Sequence, residues 1–260
     1  MPATQLLLFG WVGSAALMAA LWAWHLRLRN AGVVDVGWAM SVGGLALFYG
    51  VFGPGDPWRR AAIATMMTVW GTRLAWYLLH DRVLGRPEDG RYADLRARGS
   101  AAASWKFFPF FQAQAVAALL LSIPALLAAL DPEPSFGVVE IAAVALWIVA
   151  LVGESVADRQ LEHFKAQPGN RGRTCRAGLW RYSRHPNYFF EWLIWVAYAL
   201  FASASPYGWV AAACPLLMLY LLFRVTGIPA TEAQALRTRG DEYRHYQATT
   251  SPFVPWFSKG

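Results

Sequence analysis

FGVVEIAAVALWIVALVGESVA, residues Phe136 to Ala157, carries only two charges, Glu140 near its start and Glu154 near its end. Coiled as a helix, a stretch of this length rises about 33 Å, enough to cross the hydrocarbon core of a bilayer. Comparable stretches recur at Gln5 to Trp24, Val33 to Phe52, Ala61 to Leu79, Phe107 to Leu130, Phe189 to Ser203 and Trp209 to Phe223. The last two are short and separated only by Ala204 to Gly208, so they read either as two tilted helices or as one long broken hairpin. The pattern predicts an all-α polytopic membrane protein of about seven transmembrane helices, forming a single membrane domain over residues 1–260.

Composition agrees. Hydrophobic residues make up 57% and charged residues 15% of the chain, too little polar surface for a water-exposed globule, so a lipid bilayer is the expected partner for much of it. The N-terminus is apolar from Leu6 but lacks a basic leader and a small-residue cleavage site, so it is expected to be a retained first span. The net charge is +7, and its placement matters more than its size. If the spans alternate strictly, 20 of the 23 basic residues fall on one side, in the 80–106, 158–188 and 224–260 segments and at Arg27 and Arg29. Only Arg59 and Arg60 fall on the other side, and Arg73 lies within a span. The positive-inside rule then makes the first side cytoplasmic, with the N-terminus outside, as expected for a bacterial inner membrane protein. Charges confined to loops between apolar spans suit anionic headgroups or an anionic cofactor; nucleic acid is not an expected partner. Cys175 and Cys214 fall at different depths and give no disulfide, the five histidines are scattered, and no metal site is expected. There is no internal repeat of the kind that builds inverted-repeat transporters.

The densest chemistry lies in the second long cytoplasmic segment. Arg171, Arg173, Arg176, Arg181 and Arg184 occur with no acid between Glu162 and Glu191, just before a helix start marked by Pro186. Guanidinium groups converging beside free N–H groups of a helix start make a phosphate site, although the same residues could simply meet lipid headgroups. Asn187 and Glu191 lie four apart on the following helix, where the amide donates and accepts and the carboxylate accepts from an amide or a ribose hydroxyl. A bridge from Glu191 to Arg184 or Arg181 is the structural alternative. Glu154 and Asp158, again four apart, end the fifth span, with Lys165 in the loop beyond; they could meet loop arginines or hold groups of a nucleotide. Asp35 and Arg73 sit inside spans, where they either pair or line a polar pocket. The loop from Arg86 to Arg96 mixes both charge signs, including Glu88, Asp89, Arg91 and Asp94, and reads as a salt-bridged cap. In the tail, Thr231-Glu-Ala-Gln234 is a capping-box pattern that predicts a helix start, and Pro252, Phe253, Pro255, Trp256 and Phe257 read as an interfacial anchor. The tail is expected to fold back over the loops.

Asp35-Val-Gly-Trp38, Trp70-Gly-Thr-Arg-Leu-Ala75, Arg91-Tyr92, Gly178-Leu-Trp-Arg-Tyr-Ser-Arg-His-Pro-Asn-Tyr188 with Glu191, and Gly227-Ile-Pro-Ala-Thr-Glu232 with Tyr243 and Tyr246 resemble the DUF1295 family, which belongs with the steroid 5-alpha-reductase C-terminal superfamily. The resemblance runs from about Asn30 to Phe257 and implies a seven-helix membrane reductase. Such a protein would bind NADPH from the cytoplasmic side and reduce an activated carbon–carbon double bond in a hydrophobic, lipid-like small molecule. Carried over by position, it implies cofactor contacts at Arg73, Asp158, Lys165, Tyr182, Asn187, Glu191 and the loop arginines Arg171, Arg173, Arg181 and Arg184. Glu154, His185, Tyr188, Glu232 and Tyr243 complete the expected cofactor-binding set. The catalytic end departs from the steroid reductases. No Gln-Glu pair occurs on the second span, and Trp70 stands where they have a tyrosine, so the proton donor is expected to be Asp35 or Tyr77. The same His-Pro-x-Tyr plus Glu pattern is also similar to membrane methyltransferases of the isoprenylcysteine carboxyl type, which bind S-adenosylmethionine. That cofactor has no phosphate to engage five arginines. A lipid-binding membrane protein without enzymatic activity is the third reading.

Overall fold

The computed structural model describes residues 1–88, 90, 92, 103–134, 136–225 and 227–258, the side chains of 103, 104 and 106 excepted. Asp89, Arg91, Asp94 and Arg96, much of the expected cytoplasmic cap, lie outside the described residues. Among those described, all regular structure is helical. The α-helices whose bounds fall among the described residues are, in chain order, α1 Ala3–Leu28, α2 Val33–Phe52, α3 Pro57–Leu78, α4 Ala103–Leu121, α5 Ile123–Leu130, α6 Val138–Ala166, α7 Pro186–Ala202, α8 Ala213–Tyr220, α9 Ile228–Arg239 and α10 Asp241–Thr249.

Among the described residues, four helical runs are long and apolar enough to cross a membrane: α1, α2, α6 and the run Gly208–Arg239 through α8. The part of α4 from Phe107, taken together with α5 across a 40° bend, makes a fifth. The expected third and sixth spans form as helices close to their predicted bounds, but α3 carries Arg59, Arg60 and Arg73, and α7 is only 17 residues long. The chain is therefore an all-α protein with four to five candidate membrane spans. At 1.5 Å per residue the 32-residue run Gly208–Arg239 is longer than a bilayer is thick, and its polar end, α9, follows a break at Gly227. We read α9 as lying outside the span.

The contacts divide the chain into two units, Met1–Ile141 with Tyr198–Ala211, and Ala142–Ala197 with Ala212–Gly260. In the first, α2 and α3 approach closely because small residues meet. A Cβ at Gly71 would stand 2.6 Å from the Ala39 carbonyl oxygen, and one at Gly43 would stand 3.3 Å from the Thr68 Cα. Thr68 Oγ1 donates to the Gly43 carbonyl at 3.1 Å, tying the crossing in the manner of helices packed in lipid. Asp56 caps α3 by accepting from the Trp58 and Arg59 N–H groups, with Pro57 in the first turn. Ser122 marks the bend between α4 and α5, where Pro124 removes a ladder hydrogen bond.

A charged cluster that the sequence reading missed holds the far end of this unit. Arg59, on the first turn of α3, bonds Asp131 after α5 and Glu140 on the first turn of α6, the latter at 2.8 Å, and reaches Ser205 Oγ at 3.3 Å. All three charged side chains are buried. A charge pattern of one arginine against two acids in apolar surroundings was visible in the sequence as Glu140 within a span, but nothing local named its partner.

The second unit is built on α6. The helix continues nine residues past the predicted end at Ala157, because Asp158-Arg-Gln-Leu-Glu-His-Phe-Lys-Ala166 contains no breaker before Pro168 and Gly169. Lys165 is therefore a helical position, not a loop position, and Asp158 is helical as expected. The predicted start of α7 at Pro186 is observed. The capping-box start at Thr231 is not: α9 begins a turn earlier at Ile228, with Pro229 in its first turn. Thr231 Oγ1 instead donates back to the Gly227 carbonyl at 3.0 Å, within the helix.

Candidate functional site

In the second unit the segment from Pro168 to His185 is pinned to α6 at two points. Gln160 accepts from the Leu179 N–H at 2.9 Å, and the Trp180 indole N–H donates to the Ala157 carbonyl at 2.9 Å. Gly178, at φ +59°, is required by this contact, since a Cβ there would lie 2.3 Å from the Gln160 amide. Ser183 Oγ accepts from the His185 N–H at 3.1 Å at the entrance to α7.

On α7, Asn187 donates to Asp158 Oδ1 at 3.2 Å, so the α6 carboxylate and the α7 amide, placed separately by the sequence, meet. Glu154 is buried one turn before Asp158 on α6, and Glu191 stands one turn beyond Asn187 on α7. A Cβ at Gly153 would strike the Phe190 ring at 2.4 Å, which shows how closely the two helices approach beside these polar groups. Lys165 lies exposed in the last turn of α6.

The tail folds back over this segment, as expected, and does so through Arg184 and Glu232. Glu232 Oε1 accepts from Arg184 Nε at 2.7 Å and from His185 Nε2 at 3.2 Å, while Oε2 accepts from Gln247 at 2.7 Å. Arg184 also donates through Nη1 to the carbonyls of Gln247 at 2.7 Å and Thr250 at 2.9 Å, and its backbone N–H donates to the Ser251 carbonyl at 2.8 Å. Tyr246, buried beneath, donates to the Ser183 carbonyl at 3.1 Å and also contacts the Trp180 carbonyl. Thr174 donates its N–H to Glu242 at 2.9 Å. Tyr188 stacks on His185, ring centroids 5.3 Å apart and 5° from parallel.

Burial alone would raise the Glu232 carboxyl, but the hydrogen bonds from His185, Gln247 and Arg184 and the Arg184 charge outweigh it and hold the group at about 2. Burial pushes the His185 imidazole below its ordinary value more than Glu232 lifts it, so neutral His185 donates from Nε2. Burial raises the Tyr243 and Tyr246 hydroxyls and the Cys175 thiol, which leaves all three protonated at neutral pH. Of the expected cofactor set, Arg184, His185, Glu232 and Tyr243 therefore have their polar groups engaged with each other and with the tail. Arg171, Arg173 and Arg181 are exposed and make no side-chain hydrogen bond or ion pair among the described residues.

The first unit carries the remaining candidates. Asp35, in the first turn of α2, accepts from Arg82 Nη1 at 2.9 Å and from the Tyr92 hydroxyl at 2.7 Å. The partner anticipated for Asp35 was Arg73, and Arg82 and Tyr92 supply bonds that spacing did not reveal. Glu88, expected to pack within the cap, accepts from the Ala31 N–H at 2.8 Å and draws the loop onto the α1–α2 turn. The Arg73 guanidinium lies 5.8 Å over the ring of Tyr77. Arg73 also lines an open surface groove with Thr68, Val69, Thr72 and Trp76, all on α3.

The model of the family described as "Protein of unknown function (DUF1295)" matches residues 21–250. An uncharacterised protein of Schizosaccharomyces pombe is 28% identical over 221 residues, covering 73% of this chain and 63% of the relative. The chain thus spans just under two thirds of the length of that relative. No solved structure matches it. With nearly nine tenths of its length under the family model, the chain belongs to the DUF1295 family.

Proposed function

We propose that this membrane protein is an NADPH-dependent reductase of an activated carbon–carbon double bond in a lipid-like substrate such as a steroid, an isoprenoid or a fatty-acyl compound. The observation that carries the reading is the division among the loop arginines. Arg184 is spent on the tail, whereas Arg171 and Arg173 present uncommitted guanidinium groups on the segment that joins α6, which carries Asp158, to α7, which carries Asn187 and Glu191. This donor set fits the cofactor: guanidinium forks suit a pyrophosphate and a 2′-phosphate, and an amide beside carboxylates suits ribose hydroxyls and a carboxamide. The association of DUF1295 proteins with steroid 5-alpha-reductase-like enzymes points the same way.

NADPH, when bound, supplies a hydride. Arg171 and Arg173 would hold its phosphates. Asp158 holds the Asn187 amide by accepting from its N–H, and the Arg184–Glu232 brace keeps the tail in place over the segment. Of the two expected proton donors, Asp35 already accepts through both oxygens, from Arg82 and from Tyr92. A substrate entering from the bilayer would be shielded from water at the reacting carbon. We place the arginine-rich segments in the cytoplasm on the charge asymmetry.

Titration calorimetry of the detergent-solubilised protein with NADPH, NADP and S-adenosylmethionine tests the reading. The expected result is binding of both dinucleotides and none of S-adenosylmethionine. Binding of S-adenosylmethionine without NADPH would replace the reductase with a methyltransferase, and binding of none of the three would favour a lipid-binding protein.

A further inference from the structure

The segment from Phe253 to Phe257 is rooted where two apolar helical stretches end. Phe253 is buried against Phe189 and Trp192 of α7 and Phe223 beyond α8, with ring centroids 5.6, 6.0 and 5.1 Å away. Phe189 opens the apolar stretch of α7, and Phe223 closes that of the run through α8, so Phe253 sits where two apolar helical stretches end. The backbone around it is locked. Ser183 Oγ donates to the Phe253 carbonyl at 2.8 Å, and the Trp256 N–H donates to the Tyr182 carbonyl at 2.9 Å. With its root held this way, the segment turns Val254, Trp256 and Phe257 outward, the last two 68% and 77% exposed. Tyr182, itself partly exposed, meets the Phe257 ring edge-on at 6.1 Å, and the preceding residue is the uncommitted Arg181.

We propose that Arg181, Tyr182, Val254, Trp256 and Phe257 form a contact surface for the headgroup layer of an anionic leaflet, with the arginine on the phospholipid phosphate and the aromatic rings at the glycerol level. Charge and depth both select this occupant. Tryptophan and partly polar aromatic pairs settle at the water–lipid boundary, and a guanidinium beside them gains from a negative surface that decays within a Debye length. The contact assigns Arg181 and Tyr182 to the lipid surface and leaves Arg171 and Arg173 to the phosphates of the proposed cofactor. It would fasten to the bilayer the same tail that carries Gln247 and Tyr246, the groups that hold the arginine segment.

The test places a nitroxide at Phe257→Cys, and separately at the fully solvated Asp241→Cys, in a background of Cys175→Ala and Cys214→Ala. The protein is reconstituted in vesicles of phosphatidylglycerol with phosphatidylcholine, or of phosphatidylcholine alone, and collisions with oxygen and with a nickel chelate are compared. In the anionic vesicles the oxygen-to-nickel ratio at position 257 is expected to exceed that at 241 by about threefold or more, and to fall in pure phosphatidylcholine and on adding Arg181→Ala. Arg181→Gln repeats the last arm should the alanine variant be poorly behaved. Equal ratios at the two positions would overturn the proposal, as would immersion of 257 that ignores both lipid charge and Arg181.

Discussion

Arg59 and Arg184 are both arginines at the junction of several helices, and they are used differently. Arg59 is 2% exposed and faces two buried acids, Asp131 and Glu140, in the first unit. Arg184, in the second unit, has a side chain 10% exposed; it shares a single acid with His185 and Gln247 and spends its other donors on backbone carbonyls. The Arg59 cluster is closed, with every charged member buried. The Arg184 cluster is bordered by Arg171, Arg173 and Arg181, whose guanidinium groups remain exposed. Burial and partner count, not residue type, thus separate the arginines that brace the protein from those that can meet a ligand.

If that separation is right, the largest loss should follow from Arg59→Ala. It leaves two buried carboxylates facing each other, a change worth about 3–5 kcal/mol, and the folded yield in detergent should collapse. A variant that melts like the parent would mean the cluster is not closed. Glu232→Ala should cost less, about 2–3 kcal/mol, because Arg184 keeps its bonds to the Gln247 and Thr250 carbonyls, and limited proteolysis should cut the tail first.

The same brace has a pH signature. The Glu232 carboxyl is depressed to about 2 from 4.5, so its stabilisation is present above about pH 4.5 and lost as pH falls toward 2. The lowered His185 value adds an earlier decline beginning near 6.5, where the unfolded imidazole takes up a proton that the buried one resists. Melting temperature should therefore be flat above pH 7 and fall below it, and His185→Gln should remove the early part of the fall. The smallest effect belongs to Thr231→Ala, under about 0.5 kcal/mol, since Thr231 bonds back inside α9 and caps nothing; a loss near 1 kcal/mol would restore the capping-box reading.

Much of the architecture was legible in advance. The apolar stretches became helices near their predicted bounds, and Pro186 marked the start of α7, because hydrophobic length and proline act locally. Hydropathy ends near Ala157 but α6 does not, since Arg159, Gln160, Leu161, Glu162, Lys165 and Ala166 favour a helix outside the apolar zone. The start of α9 was misplaced because a capping pattern is necessary chemistry but not sufficient: Pro229 offered an earlier start. The candidate site was legible as a list of groups, with Asn187 and Asp158 meeting across two helices. What spacing does not encode is which partner each charge takes. Arg59 with Asp131 and Glu140, Asp35 with Arg82 and Tyr92, and Arg184 with Glu232 are separated by 47 to 81 positions and are joined only by packing.

In the proposed function Arg171 and Arg173 meet the ligand and Arg184 braces the tail. Calorimetric titration of NADPH and of NADH, which lacks the 2′-phosphate, into the parent and into an Arg171→Ala/Arg173→Ala variant tests it most directly. The parent should favour NADPH over NADH by about tenfold or more, as one charge-assisted hydrogen bond set would give. In the variant that preference should collapse, NADPH affinity should drop by at least about tenfold, and the melting temperature should stay that of the parent, since exposed substitutions cost within about 0.5 kcal/mol. An unchanged NADPH affinity in a well-folded variant, or a loss of stability in place of a loss of binding, would contradict the account.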